Sequence, residues 1–290
     1  MPVTVAQFLR KRAPETLRRS LSHGGIPTGV DSFGLSDETA LRFTNTPSLV
    51  LQQLYWLGTS GWEPEVMRWW LALCRRSETI VELGANVGYF TVRGALAAPK
   101  ARYIAVEPHP NSVATCKSHL DLNGVASVEL VAAAAVPERG PESLEMHVPS
   151  DQLATPTVAF LPHGSELPRD MAQEIGATIE VAAVDVRTLV SGADLIKLDV
   201  EGQEHLLLGA IVDLLAERRP HVVVEMLTGT PKLRALLSDL CVGVGYHCYV
   251  PVETGLVELE SADIATVNLQ SGYGTNDVIL SIDATLPSRT

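Results

Sequence analysis

Three clusters of acids and glycines in the middle of the chain have the composition of a ligand site. The first is Val81-Glu82-Leu83-Gly84-Ala85-Asn86-Val87-Gly88-Tyr89-Phe90. Glycines at 84 and 88 let backbone turn sharply and approach a ligand closely. If a helix starts directly after, its first amides face the same place. Glu82 adds an anion just before the first glycine, which suits a cationic ligand better than a pyrophosphate; the structural alternative is a bare strand-to-helix turn. The second is Glu107, 25 positions after Glu82. A carboxylate at such a spacing can accept both ribose hydroxyls of an adenosine, or it is a solvated acid at a strand–helix junction. The third is Asp199-Val200-Glu201-Gly202, followed further on by Glu225.

A dinucleotide site is excluded by its own fingerprint. G-x-G-x-x-G needs a central glycine for the pyrophosphate, whereas here Asn86 stands midway between Gly84 and Gly88. S-adenosylmethionine, with an ammonium and a sulfonium at its amino-acid end, fits the acid-plus-glycine turn.

These residues need elements that bring them together. Glycines and prolines punctuate residues 1–60, leaving short helices near 3–12 and 48–57. Pro64 suits a first helical turn, and Val66, Trp69, Trp70 and Leu73 follow at helical spacing. Strands are predicted at Thr79–Leu83, Arg102–Val106 and Val128–Val131, with helices at Val87–Ala98 and Pro110–Leu122 between them. Residues 133–193 interrupt this rhythm with Pro137, Pro141, Pro149, Pro156, Pro162 and Pro168, leaving one strand near Thr178–Val184. The alternation resumes with a strand at Leu195–Leu198, a helix over 203–218, a strand at His221–Val224 and a helix at Pro231–Leu240. Strands at Tyr246–Val250 and Asn276–Ile282 close the chain as an antiparallel pair. Strand–helix alternation implies a parallel α/β sheet with right-handed crossovers. Ligands in such sheets sit beyond the carboxyl ends of the strands, where all three clusters fall.

Bulk properties narrow the function classes. With 290 residues, 46% hydrophobic and 19% charged, the chain can bury a core without disulfides or metal. A net charge of −12 argues against binding along a nucleic-acid backbone. Residues 1–20 run the other way, with five bases and one acid, and read as a solvated helix, a frayed start, or an arm for an anionic surface. Cys74, Cys116, Cys241 and Cys248 form no C-x-x-C pair, so they read as reduced and mostly buried. With neither a signal-peptide stretch nor an apolar run long enough to span a membrane, the expected location is cytoplasmic. Among the eight histidines, His109, His147, His163 and His205 lie nearest the interesting segments and read as structural or solvated. Trp62, Trp69 and Trp70 read as core rather than as an acceptor platform.

The glycine stretch, Val106-Glu107-Pro108-His109-Pro110-Asn111 and Leu195-Ile196-Lys197-Leu198-Asp199-Val200-Glu201-Gly202-Gln203-Glu204 together resemble the FkbM family of methyltransferases, and Gly61-Trp62-Glu63-Pro64-Glu65 looks like its entry segment. The resemblance runs from about residue 61 to 282 and says little of residues 1–60 or 133–193. It implies a class I methyltransferase fold, Rossmann-like, with a mostly parallel seven-stranded sheet. It also implies methyl transfer to oxygen, often on a sugar or other natural product. Glu82, Gly84, Ala85, Asn86, Gly88, Tyr89, Glu107 and Asp199 would bind the cofactor, with Asp199 and Glu201 at the methyl-transfer mouth. The domain reading is an N-terminal extension over 1–60, a cover for the acceptor site, and a methyltransferase domain over 61–290 carrying 133–193 as an insertion.

Methyl transfer is an in-line displacement, accelerated mainly by alignment. An alcohol needs its proton removed by a base or polarised by a metal. Asp199 and Glu225, with Glu201, could flank the acceptor as catalytic groups. Asp199 and Glu225 could instead bind magnesium, or they could cap the following helices. The expected partner is a small-molecule acceptor, with neither nucleic acid nor a membrane span, and a homo-oligomer left open. Competing readings are an N-methyltransferase, a macromolecular methyltransferase, and a cofactor-binding module without catalysis. No Pro-Pro-Tyr or Pro-Pro-Trp follows the fourth strand, against methylation of base amino groups.

Overall fold

The computed structural model describes residues 3–138, 140, 142–149, 155–156, 159, 161, 165–166, 175–284 and 286. Pro141, Pro162, Pro168 and His163 lie outside them. The chain opens with α1 (Val3–Arg12), α2 (Glu15–Ser22), a hairpin of β1 (Ser32–Gly34) and β2 (Arg42–Thr44), and α3 (Leu49–Leu57). It continues through α4 (Pro64–Cys74), β3 (Thr79–Leu83), α5 (Tyr89–Ala97), β4 (Arg102–Val106), α6 (Pro110–Leu122) and β5 (Val128–Val131). Next come β6 (Ala134–Val136), β7 (Ser143–Pro149), β8 (Ile175–Asp185), α7 (Val186–Val190) and β9 (Leu195–Leu198). The last part holds α8 (Glu204–Ala210), α9 (Val212–Arg218), β10 (His221–Glu225), α10 (Pro231–Val244), β11 (His247–Val252), β12 (Gly255–Leu259), α11 (Leu269–Tyr273) and β13 (Asp277–Ser281).

Among the described residues one sheet has the order β12-β11-β13-β10-β9-β3-β4-β5. Strands β5, β4, β3, β9 and β10 are mutually parallel, and β13 inserts antiparallel between β10 and β11. The seven expected strands are present. The eighth, β12, pairs with β11 across a tight turn from Val252 to Gly255; it is a partly exposed edge strand of burial too mixed to give an apolar run in sequence. Strand order reverses on either side of β3, so the crevice at its carboxyl end is where a ligand is expected.

Alternating side chains separate the core into two layers. On one face Ile80, Tyr103, Leu195, Val223 and Ile279 pack under α3 to α6. On the other, Val81, Ile104, Ile196, Val222 and Val278 pack under α7 to α10. The first layer also takes in Ala6, Phe33, Leu35, Phe43, Val50, Leu54 and Trp56. Residues 1–60 are therefore part of the domain's own core. A chain lacking them would expose that layer, so such a truncation cannot isolate acceptor contacts. The basic segment is docked rather than frayed: Arg10 donates to the carbonyls of Tyr55 and Gly34 and stacks on the Tyr55 ring, and Arg18 donates to Trp56 O.

Two further departures concern the helix after β9 and the strand β8. The helix expected over 203–218 breaks at Ile211 (φ −121°, ψ 15°), which ends α8 and starts α9. Arg187 Nη1 donates to the Ala210 carbonyl at the break, 2.7 Å away. The strand expected near 178–184 is longer and belongs to a separate sheet of order β6-β8-β7. All four cysteines are free, and three are buried.

Candidate active site

Backbone contacts join the ends of β3, β4 and β9. Gly84 and Ala85 both donate to Val106 O at 2.9 and 3.0 Å, and Asp199 N donates to Leu83 O at 3.0 Å. Gly84 has φ +89°, and a Cβ there would lie 1.8 Å from Asp199 O; at Gly88, φ +81°, it would lie 2.5 Å from Cys116 Sγ. The two glycines thus make room for protein, not directly for a ligand. Gly84 admits the end of β9 and Gly88 admits α6. Gly88 is accordingly absent from the cleft wall, whereas Glu82, Gly84, Ala85, Asn86, Tyr89 and Glu107 line it.

Asn86 takes φ 48°, a conformation Asn tolerates better than most residues. Its Oδ1 accepts from Val87 N, and its Nδ2 donates to Pro156 O at 3.0 Å. Glu107 accepts from Asn86 N on Oε2 and from His109 N on Oε1, both at 2.8 Å. Burial raises its pKa to about 7 despite those two amides.

The charged residues form a row on one sheet face. In register, Glu82 of β3 faces Lys197 of β9, and Glu225 of β10 faces Asp277 of β13. Lys197, 1% exposed, donates to Asp199 Oδ2 at 2.7 Å and lies 4.7 Å from the Phe90 ring centre. Burial alone would lower its pKa, but Asp199, Glu63, Asp277 and Glu82 outweigh burial and raise it. Glu82 accepts from Tyr103 at 2.5 Å. Burial lifts it to about 7 against the pull of Lys197. Asp277 is lifted to about 7 by burial, again against Lys197. Glu63, Glu201 and Glu225 are raised well above the carboxylate range, first by burial and then by neighbouring acids.

Asp199, Glu201 and Glu225 all reach the same cleft, of about 350 Å³. Neither Asp199 nor Glu225 caps a following helix: the first-turn amides of Lys232 and Leu233 in α10 are taken by Glu166, and the N-cap residue of α8, Gln203, makes no side-chain cap. Magnesium fits poorly. Asp199 already holds the Lys197 ammonium, and among the described residues no group of three or more His, Cys, Asp or Glu is placed to hold a metal. His109 lines the cleft with Nδ1 buried and unpartnered, and burial lowers its pKa. His147 and His205 lie outside the cleft wall; burial lowers His205. Trp69 and Trp70 are core, but Trp62 lines the cleft.

Sequence reasoning passed over Glu63, Lys197 and Asp277. A lysine inside the apolar run Leu195–Leu198 was the available signal for Lys197. Glu63 is left-handed at φ 39° just before Pro64, and sequence alone does not show that turn. The cleft is also lined by described residues of the 133–193 segment, including Ala135, Met146, Pro156 and Leu161. Among the described residues of 1–60 only Val50 lines it. Thr155 ties this cover to the N-terminal part through Pro47 O.

The methyltransferase FkbM domain matches residues 82–241, more than half of the chain. No curated protein sequence matches. Among solved structures, an FkbM methyltransferase from Methylobacillus flagellatus KT is 14% identical over 92% of this chain and 58% of its own, with a TM-score of 0.42. This chain thus spans just over half of that protein. Cofactor-bound Rv0187 from MTB is 15% identical over 75% of this chain and 78% of its own, TM-score 0.40. An O-methyltransferase from Bacillus cereus in complex with SAH is 12% identical over 75% and 80%, TM-score 0.41. The domain match decides the matter: the chain belongs to the FkbM family of methyltransferases.

Proposed function

We propose that this methyltransferase carries the methyl group of S-adenosylmethionine to a hydroxyl oxygen of a small-molecule acceptor, of the sugar or glycosylated natural product class. The observation that carries the reading is the meeting of Glu107, the Gly84–Asn86 turn and Asp199 in one acidic cleft at the strand-order reversal. The cofactor supplies an electrophilic methyl on a sulfonium. Glu107, already fixed by two backbone amides, is oriented to accept ribose hydroxyls. Glu82 and the Lys197–Asp199 pair stand toward the amino-acid end. With Oδ2 held by Lys197, Asp199 is oriented so that Oδ1 can meet the acceptor. Glu201 and Glu225 flank that position, and the 133–193 segment walls the acceptor side.

Calorimetry with S-adenosylhomocysteine tests the cofactor half. Glu107→Gln keeps the side chain's shape and should weaken binding by roughly tenfold to a hundredfold, the loss of about 1–3 kcal/mol of hydrogen bonding. Unchanged affinity in the folded variant removes Glu107 from the site. Glu107→Ala is the poorer test, since it strands both backbone amides, whereas Gln, whose Nε2 cannot accept, strands only one. The acceptor half is tested by mass spectrometry of candidate hydroxylated acceptors for gain of one methyl group.

A further inference from the structure

Six carboxyls line the cleft, more than the methyl donor can partner. Glu63, Glu201 and Glu225 line the cleft from three different elements, and in each Oε2 is closed off from solvent with no hydrogen-bond partner. A buried carboxylate oxygen without a donor is destabilising, so three together in one cleft point to donors arriving with a ligand. Two of the three sit in strained backbone, Glu63 at φ 39° and Glu201 at φ 54°, and strain of this kind gathers at functional sites.

The count of charges identifies those donors. Six carboxylates line the cleft, and Lys197 is the one Lys or Arg among the described lining residues. That ammonium is already spent on Asp199. S-adenosylmethionine brings an ammonium and a sulfonium but also a carboxylate, a net of one positive charge. Hydroxyls alone would fill the hydrogen bonds but leave the mutual repulsion of these acids unrelieved. An anionic acceptor, such as a phosphorylated sugar, would add to it.

We infer that the acceptor bears a protonated amine near its reacting hydroxyl, as in an amino sugar, and that Glu63, Glu201 and Glu225 receive that ammonium. This rests on the methyltransferase reading and names its substrate class. The upward push on these three carboxyls is consistent with a site completed by a cation. A bound ammonium has no free lone pair, so the same contact directs the methyl to oxygen rather than nitrogen.

The test uses the full chain saturated with S-adenosylhomocysteine. Glucosamine, galactosamine and mannosamine, each with its N-acetyl and 6-phosphate form, are compared by ligand-observed NMR titration. The free amines should bind at least about tenfold more tightly than their N-acetyl forms, with the phosphates weakest. Glu225→Gln should weaken amine binding by about tenfold and leave S-adenosylhomocysteine affinity within about twofold. N-acetyl or phosphorylated forms binding as well as the amines, or no amine binding at all, overturns the inference. Failure of the parent protein to bind S-adenosylhomocysteine is a different result: it overturns the proposed function, and this inference with it.

Discussion

Gly84 and Asp199 meet backbone to backbone: a Cβ on Gly84 would lie 1.8 Å from the Asp199 carbonyl oxygen. The contact locks the end of β3 to the end of β9 and so sets where the Asp199 side chain starts. Gly84→Ala must force the two strand ends apart and strain φ +89° as well. It should cost more than the roughly 1–3 kcal/mol of a left-handed backbone alone and should lower cofactor affinity. Gly124→Ala is the control, with a similar φ of +67° but nothing within 4 Å. Urea unfolding should show the Gly84 variant clearly the less stable of the two.

The pH dependence of the cofactor-free protein should carry the signature of Glu82. Its folded pKa is raised to about 7 by burial, so its contribution is fully present below the unfolded value and is lost as pH rises through about 7. Glu82→Gln removes this loss and can still accept from Tyr103. Relative to the parent, the variant should gain stability between pH 4.5 and 8, by roughly 1–3 kcal/mol. Parallel stability curves for the two proteins would contradict the burial of a charged Glu82.

His119 should contribute the opposite slope. Its Nδ1 donates to Val87 O at 2.6 Å, and its Nε2 accepts from Thr44 N at 3.0 Å. Burial depresses its pKa to about 4. Its stabilisation is therefore present above the unfolded value and is lost as pH falls from about 6.5 toward 4, by up to about 3 kcal/mol. In His119→Gln that part of the acid sensitivity should vanish. Because His119 joins β2 to the glycine-rich turn, the same variant should also loosen the N-terminal hairpin, read as faster amide exchange over 32–44.

Asp199→Asn tests the mouth without removing the contact to Lys197. If the carboxylate serves the transition state, turnover falls by about a hundredfold or more, a much larger factor than the loss of S-adenosylhomocysteine affinity. Activity of the parent should be indifferent to a chelator. Activity lost on chelation and restored by magnesium would instead assign Asp199 a metal, and normal turnover in the Asn variant would remove it from the chemistry.

Much of this protein is local in origin. Apolar runs ended by glycine or an acid delimited β3, β4 and β9, and prolines at first turns marked α4, α6 and α10, because helix and strand periodicity and their stop signals act over a few residues. The acids at strand ends followed from the same pattern, since a parallel sheet puts every carboxyl end on one edge. Tertiary structure decided the rest. Gly84 is a glycine because a strand far along the chain passes against it. Lys197 can stay charged in the core because acids from β3, β13 and the loop before α4 surround it. Residues 1–60 are core because their scattered apolar side chains find a single sheet face. These outcomes depend on pairings between distant segments, which local periodicity and propensity do not encode.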